Sequence, residues 1–370
     1  MLELAGIVRD AGPAYLRQFG SRMLPSHRRA LRDIGACRTA AMGGHVEQSD
    51  HCSRRECVYH SCRNRHCPKC HGNETRQWLS RQLERLPRCR YYFVTFTLPS
   101  ELRALARAHQ KTVYSLLMRC AADALLKLAA DPQHLGAKPG LLGVLHTWSR
   151  ALLYHPHAHF LVTAGGLSSD GERWLEPKNP RFLVPGYALA VVFRAKLRDA
   201  LASENLIELV DARVWKKKWV VQCQRAGGGK EVLAYLARYI HRVALTNESI
   251  ERFKDDRVTF RYIDSKTKQT HSCNLLAQDF LSRFLQHVLP RGFKKTRYYG
   301  LLSSAAGSKL DTAQRILRSR VGLTRREHCP ASSPQHDQAG ETDLPTKSCP
   351  ECRLGQLRIV ARFARLRGPP

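Results

Sequence analysis

The chain has 370 residues, 43% of them hydrophobic, with 61 Lys and Arg against 31 Asp and Glu and a formal charge of +30. That apolar content is enough for a packed core and excludes wholesale disorder, while the length suggests two or three units. So large a charge is of no use to an enzyme of small metabolites; a polyanion relieves it by releasing counterions, and with no separate basic amphipathic helix to mark a membrane surface, nucleic acid is the expected partner.

No stretch of eighteen uncharged apolar residues occurs, so no spanning helix is expected. Glu3, Arg9 and Asp10 interrupt what would be the apolar segment of a signal peptide, which points to the cytoplasm. The 13 cysteines are then thiols or metal ligands rather than a disulfide framework.

In chain order, residues 1 to about 30 form a basic, partly helical lead-in with Arg17, Arg22, Arg28 and Arg29. From Cys37 to Cys70 the chain is rich in Cys, His, Arg and Gly, and such a segment needs a metal to fold. Residues 72–88 turn helical, Tyr91–Leu98 is a strand ended by Pro99, and 100–131 carries helical leucine spacing. Strand-like runs follow at 143–148 and 152–163, then a helix over 186–205 and a basic strand over Val214–Cys223. Three glycines at 227–229 open a helix from Lys230 to about Leu245; 256–263 and 270–275 form a hairpin, and a helix runs on to about Val288. Residues 327–347 read as a linker before a short basic tail. Strands mixed with helices, several of them hairpin-like, indicate an α+β fold with an antiparallel sheet.

The segment LLYHPHAHFLVTAGG carries the most information. Strand side chains alternate, so His155, His157 and His159 share one face at intervals of about 7 Å, and Tyr154, Ala158, Phe160 and Val162 share the other. Imidazoles grouped this way are costly to bury without a divalent metal, and no carboxylate within ten residues offers the general base of a hydrolytic zinc enzyme. His146, on the preceding run, is the candidate third ligand; His155 or a distant carboxylate are the alternatives.

EVLAYLARYIHRVAL sets Tyr235 and Tyr239 one turn apart on a helix, flanking an aliphatic stripe and beside Arg238 and Arg242. Packing alone explains most such pairs. A phenol is a poor nucleophile at neutral pH, but a metal at His157 and His159 polarising a phosphate, with Arg238, Arg242 and Lys230 nearby, would let it attack. Attack would give a 5′-phosphotyrosine and a free 3′-OH.

CSRRECVYHSCRNRHCPKCHG contains a Cys67–Cys70 knuckle with Cys52, Cys57 and Cys62 upstream, a strong zinc signal; Cys37, His45, His60 and His66 are further candidates. Arg63 and Arg65 place charge around it, suited to DNA recognition. Cys349-Pro-Glu-Cys352 is half a knuckle, to be completed by His328 and Cys329 or by another chain. Lys216–Lys218 beside Trp215 and Trp219 suit either single-strand stacking or a solvated strand edge, and Tyr298 and Tyr299 read as structural.

Together these residues resemble the two-tyrosine rolling-circle transposases of the insertion-sequence ninety-one type. The matching text includes CRTAAMGGH, SCRNRHCPKC, YYFVTFTLP, LHTWSRALLYHPHAHFLVTAGGLS, VLAYLARYIHRVALTN and HVLPRGFKKTRYYGLL, spread from about residue 30 to 305. The resemblance implies an HUH endonuclease fold with His157 and His159 on its central strand, Tyr235 and Tyr239 as nucleophiles, and Mg²⁺ or Mn²⁺ beside Zn²⁺. It implies single-stranded DNA at mobile-element ends as substrate. The expected organisation is a lead-in over 1–30, a zinc-binding domain over 31–88, the nuclease over 89–305, and a basic helix, linker and CPEC tail over 306–370. One departure stands out: Ser49-Asp-His-Cys52 replaces a second CxxC of the family, so that either Cys57 or His51 takes the place of the missing ligand or one metal site is damaged. A plasmid relaxase or replication initiator of the same chemistry, and a non-catalytic zinc-dependent DNA-binding protein, are the competing readings.

Overall fold

The computed structural model describes residues 2–240, 245–264, 267–324 and 347–365, leaving aside the side chains of 238–240 and 321–324. Two helices open the chain, α1 (Leu4–Phe19) and α2 (Pro25–Gly35). Pro25 sits in the first turn of α2, where its missing N–H would have had no partner. Leu4, Ile7, Val8, Leu31 and Ile34 from these helices bury against Cys37, Cys67 and Cys70, so the cysteine-rich segment shares its core with the lead-in.

Strands β1 (Gly44–Ser49) and β2 (Arg55–Tyr59) form a hairpin, followed by α3 (Gly72–Arg85) and β3 (Tyr91–Thr97). Where one helix is expected over 100–131, the chain breaks into a short turn and two helices, α4 (Arg103–Ala108) and α5 (Gln110–Ala129). His109 separates them with φ −119° and ψ 49°, outside the helical region. The long strands β4 (Lys138–Trp148) and β5 (Tyr154–Leu167) come next, then the two-residue β6 (Trp174–Leu175) and α6 (Gly186–Ser203).

Only the end of the basic run over 214–223 is strand, as β7 (Val221–Arg225). Before it, Asp211 caps a 3₁₀ turn by accepting from the Arg213 amide, and Trp219 folds back to donate to the Val214 carbonyl at 3.1 Å. Local capping and one buried indole override the alternating pattern there. Helix α7 (Lys230–Ile240), strands β8 (Ile250–Lys254), β9 (Arg257–Ile263) and β10 (Thr270–Leu276), and α8 (Ala277–Leu285) follow. Strand β11 (Thr296–Gly300), helix α9 (Gly307–Thr324) and β12 (Leu357–Phe363) complete the described residues. Most of the linker over 327–347 lies outside them.

The main sheet runs β11-β4-β5-β3-β7, with β6 beside β5 and every neighbour antiparallel. The two faces of β5 separate as strand alternation demands. Ala158, Phe160 and Val162 pack with Tyr114, Leu117 and Leu125 of α5 and Phe193 and Leu197 of α6. Leu161 faces the opposite layer, with Leu142, Val144, Leu233 and Leu236 of α7 and Leu310 and Leu317 of α9. Each fully buried side chain of this size contributes roughly 1.5–3 kcal/mol, so helices on both sides hold the sheet rigid beneath its histidines. The fold is α+β, with flanking helices and a cysteine-rich module. Two smaller antiparallel sheets accompany the main one, β12-β1-β2 and β10-β9-β8. No described helix is long and apolar enough to cross a membrane.

Candidate active site

The β4–β5 register sets His146 directly opposite His157, and Val144 opposite His159. The ring of His146 lies 5.4 Å from that of His157 and 4.5 Å from that of His159, and the His157 and His159 rings are 4.7 Å apart. One nitrogen from each of the three falls within 4.8 Å of the others. His155 joins the strand face but not this group: its Nδ1 accepts from the Arg103 guanidinium at 2.9 Å.

The ring orientations are fixed from behind. His157 Nδ1–H donates to the His155 carbonyl at 2.6 Å, which leaves the Nε2 lone pair for the cluster. His159 Nδ1 meets Thr95 Oγ1 at 2.9 Å, and its ring stacks on Phe93 at 4.8 Å. Trp148 stacks on His146 at 4.8 Å, and Lys295 Nζ lies 4.4 Å over that indole. Burial lowers the pKa of all three histidines, His157 to about 4, so each is a neutral imidazole with a lone pair to donate.

Helix α7 covers this group. Leu233, Leu236 and Ala237 are buried, and half-buried Tyr235 meets both His159 and Phe93 edge-on at 6.3 Å. The helix is set down by Gly229, whose φ of +77° and close approach to Tyr91 leave no room for a Cβ. Tyr239 lies on α7 one turn beyond Tyr235. The side chains of Tyr239 and Arg238, and all of Arg242, lie outside the described residues; Lys230 is exposed at the start of α7. A cleft of about 770 Å³ is lined by His146, His157, His159, Tyr235, Arg150, Arg261 and Tyr262. Arg150, in the β4–β5 connection, and Arg261 and Tyr262 of β9 were not singled out from the sequence; the two on β9 reach the histidines only through the folding of that distant strand toward them. Thr95, Phe93 and Lys295 were missed for the same reason: their signal is a cross-strand neighbour rather than a local motif.

Among the described residues, seven cysteines gather into two groups. Cys37, Cys62, Cys67 and Cys70 converge, with sulfur separations of 3.6 Å for Cys37–Cys70 and Cys62–Cys70 and 3.8 Å for Cys37–Cys67. Four thiolates at about 2.3 Å around a tetrahedral zinc would be about 3.8 Å apart, so the set fits Zn²⁺. Cys52 instead joins Cys349 and Cys352. The tail knuckle thus meets a residue near the start of the chain; His328 and Cys329 lie outside the described residues.

Neither cysteine group includes His45, Cys57 or His66. His45 pairs with Glu47 at 3.1 Å, Cys57 is exposed on β2, and buried His66 accepts from the Leu289 amide at 3.3 Å. Exposed Arg63 and Arg65 flank the four-cysteine group, in a groove shared with Arg29 and Arg291. One arm of Arg65 is committed to the Phe293 carbonyl at 2.7 Å. Trp219 is buried against partly exposed Trp215, while Tyr298 lies under Arg85 and Tyr299 beside Phe160.

Two family models match the chain, one described as "Transposase zinc-binding domain" over residues 7–98 and one described as "Putative transposase" over residues 140–309. The chain is 37% identical over 390 residues to "Putative transposase y4qJ" of Sinorhizobium fredii (strain NBRC 101917 / NGR234), covering 100% of this chain and 97% of that protein. It is 28% identical over 290 residues to "Transposase for insertion sequence element IS801" of Pseudomonas savastanoi pv. phaseolicola, covering 73% of this chain and 68% of the relative. No solved structure matches it. With a relative matched along its whole length and both models in order on the sequence, the chain belongs to the rolling-circle HUH transposases of the insertion-sequence ninety-one type, enzymes that nick and transfer DNA strands and carry an N-terminal zinc-binding domain.

Proposed function

We propose that Tyr235 and Tyr239 are the nucleophiles of strand transfer and that His146, His157 and His159 hold the divalent ion that assists them. The observation that carries this reading is the position of the Tyr235 ring, 6.3 Å from that of His159 and in one cleft with all three histidines. The donor set fits a divalent cation: three neutral imidazoles, with the His157 tautomer fixed by a carbonyl. All-nitrogen ligation favours Mn²⁺ over the harder Mg²⁺. When bound, the ion supplies Lewis acidity to a phosphate oxygen and orients the phosphodiester.

The substrate is single-stranded DNA at the ends of a mobile element. A tyrosine Oη forms a bond to the scissile phosphorus as the P–O3′ bond breaks; the phenolic proton is lost and the departing 3′ oxygen gains one. The phosphodiester energy is kept in the 5′-phosphotyrosine, so the free 3′-OH of another strand reverses the step and joins to it. Two tyrosines one turn apart allow a second transfer before the first linkage is resolved. Arg150 and Arg261 line the cleft, where they counter the phosphate charge and favour the phenolate. Arg63 and Arg65 serve the zinc-binding end as DNA contacts.

The test uses purified protein, end-labelled single-stranded element ends, and Mn²⁺, Mg²⁺ or neither, read on a denaturing gel. Metal-dependent adducts in wild type, reduced in Tyr235→Phe and Tyr239→Phe and absent in the double variant, support the assignment. Nicking that survives in the double variant removes it.

A further inference from the structure

Outside the catalytic cleft, two four-residue segments from opposite ends of the chain face one another: Ser49-Asp50-His51-Cys52 and Cys349-Pro350-Glu351-Cys352. Cys52 Sγ lies 3.7 Å from Cys349 Sγ, and Ser49 Oγ lies 3.9 Å from Cys352 Sγ. The three sulfurs fall within 4.8 Å of one another. The Cys52–Cys349 separation matches the edge of about 3.8 Å expected for two thiolates around a tetrahedral zinc.

The two segments are folded alike. Ser49 Oγ accepts from the amides of His51 and Cys52, both at 3.3 Å. Each turn is closed by the amide of its first residue: Ser49 N donates to the Arg54 carbonyl at 3.1 Å and Cys349 N to the Gly355 carbonyl at 2.7 Å. Ser49 therefore has the position in its turn that a thiolate has in the other. Gly355 permits the approach, since a Cβ there would lie 2.6 Å from Ser49 Oγ and 2.5 Å from His51 Cβ. The tail is also seated around the group: β12 pairs with β1, Gln356 N donates to Asp50 Oδ1 at 2.7 Å, and Asp50 N donates to the Gln356 carbonyl at 3.1 Å.

We propose that Cys52, Cys349 and Cys352 bind a second Zn²⁺, with Ser49 Oγ at the fourth corner, and that this ion latches the C-terminal strand onto the N-terminal sheet. Because the latch closes a loop of nearly 300 residues, it constrains the chain far more than a local knuckle would. The serine oxygen is a weaker donor than a thiolate, so this ion exchanges faster than the one among Cys37, Cys62, Cys67 and Cys70. The proposal does not depend on the assignment of the nucleophiles.

The experiment measures zinc per chain in the full-length protein by mass spectrometry, and zinc release to a colorimetric chelator over time. Wild type should carry one more zinc than the Cys349→Ser, Cys352→Ser double variant, whose histidine cluster is unaltered. Ser49→Cys, which keeps every other ligand and bears the test if the double variant does not fold, should slow the faster release phase by roughly tenfold or more, since even outer-shell changes alter metal affinity by that factor. Equal zinc content in wild type and double variant, or an unchanged fast phase in Ser49→Cys, overturns the proposal. So does a Cys52–Cys349 disulfide found in freshly purified, non-reduced protein.

Discussion

The three glycines that precede α7 separate backbone strain from steric contact, and substituting alanine at each tests how α7 is set on the sheet. Gly228 has open space around it and no left-handed φ, so Gly228→Ala should be neutral or stabilise by about 0.4–1 kcal/mol through the unfolded chain. Gly227 has φ +54° and open space, so its alanine variant meets only the left-handed penalty of roughly 1–2 kcal/mol. Gly229 has φ +77°, and a Cβ there would lie 2.7 Å from Cδ2 of Tyr91. That ring is 2% exposed and tethered by a 2.6 Å bond from its hydroxyl to the Pro87 carbonyl, so it cannot swing aside. Adding an overpacking cost of roughly 1–3 kcal/mol gives about 2–5 kcal/mol for Gly229→Ala.

The functional consequence follows from distance. Tyr235 is six residues, about 9 Å, along the helix from Gly229. Relief of the clash lifts the start of α7, and a displacement of about 1 Å at a nucleophile costs on the order of 100-fold in rate. Urea unfolding gives the stability order, and single-turnover adduct formation gives the rates. The reasoning is refuted if Gly229→Ala is as stable as Gly228→Ala and forms adduct at the wild-type rate.

Thr95→Val keeps the shape of β3 but removes the partner of His159 Nδ1, and should weaken divalent-ion binding by about 10–100-fold with DNA binding retained, as measured by metal titration and gel shift. Buried His287 contacts the Leu152 carbonyl and Thr147, and burial lowers its pKa to about 4. Its folded value lies below the unfolded one of about 6.5, so the stability tied to the neutral ring is complete above that pH and is lost as pH falls toward 4. The shift corresponds to about 3 kcal/mol, and His287→Asn should flatten the acid limb of a urea-midpoint profile by that amount. Arg63→Ala should weaken DNA binding evenly across sequences and reduce the slope of log K against log salt by about 1.

The strongest local patterns were the most legible. Alternation along YHPHAHFLV gave the correct faces of β5, because one side of that strand is core and the other meets the histidine cluster. Tyr91–Thr97 and the start of α7 were likewise readable, one from β-branched and aromatic residues, the other from the glycines that open a helix. The antiparallel approach of His146 to His157 followed from two adjacent runs with a short connection. Elements defined by distant partners were not readable. Strand β12 is rich in arginine and is extended because β1 accepts it, and the partner of Cys349 and Cys352 lies 297 positions before Cys349. Strands β8 and β11 are short and polar enough to read as loops until β9 and β4 pair with them. Residues 214–219 show the reverse failure, an apparent strand turned into a 3₁₀ coil by one aspartate cap and one indole.

The central claim is that DNA becomes covalently attached to α7, and the most direct measurement is peptide mapping of the trapped adduct. Trypsin cuts after Lys230, Arg238 and Arg242, so Tyr235 and Tyr239 fall in separate peptides, 231–238 and 239–242. After nuclease digestion of the DNA, mass spectrometry should find a nucleotide joined through a 5′ phosphate to one or both of these peptides, and only when the divalent ion was present. A nucleotide on any other residue, Tyr298 or Tyr299 included, or nicked DNA with a free 5′ phosphate and no adduct, would contradict the account.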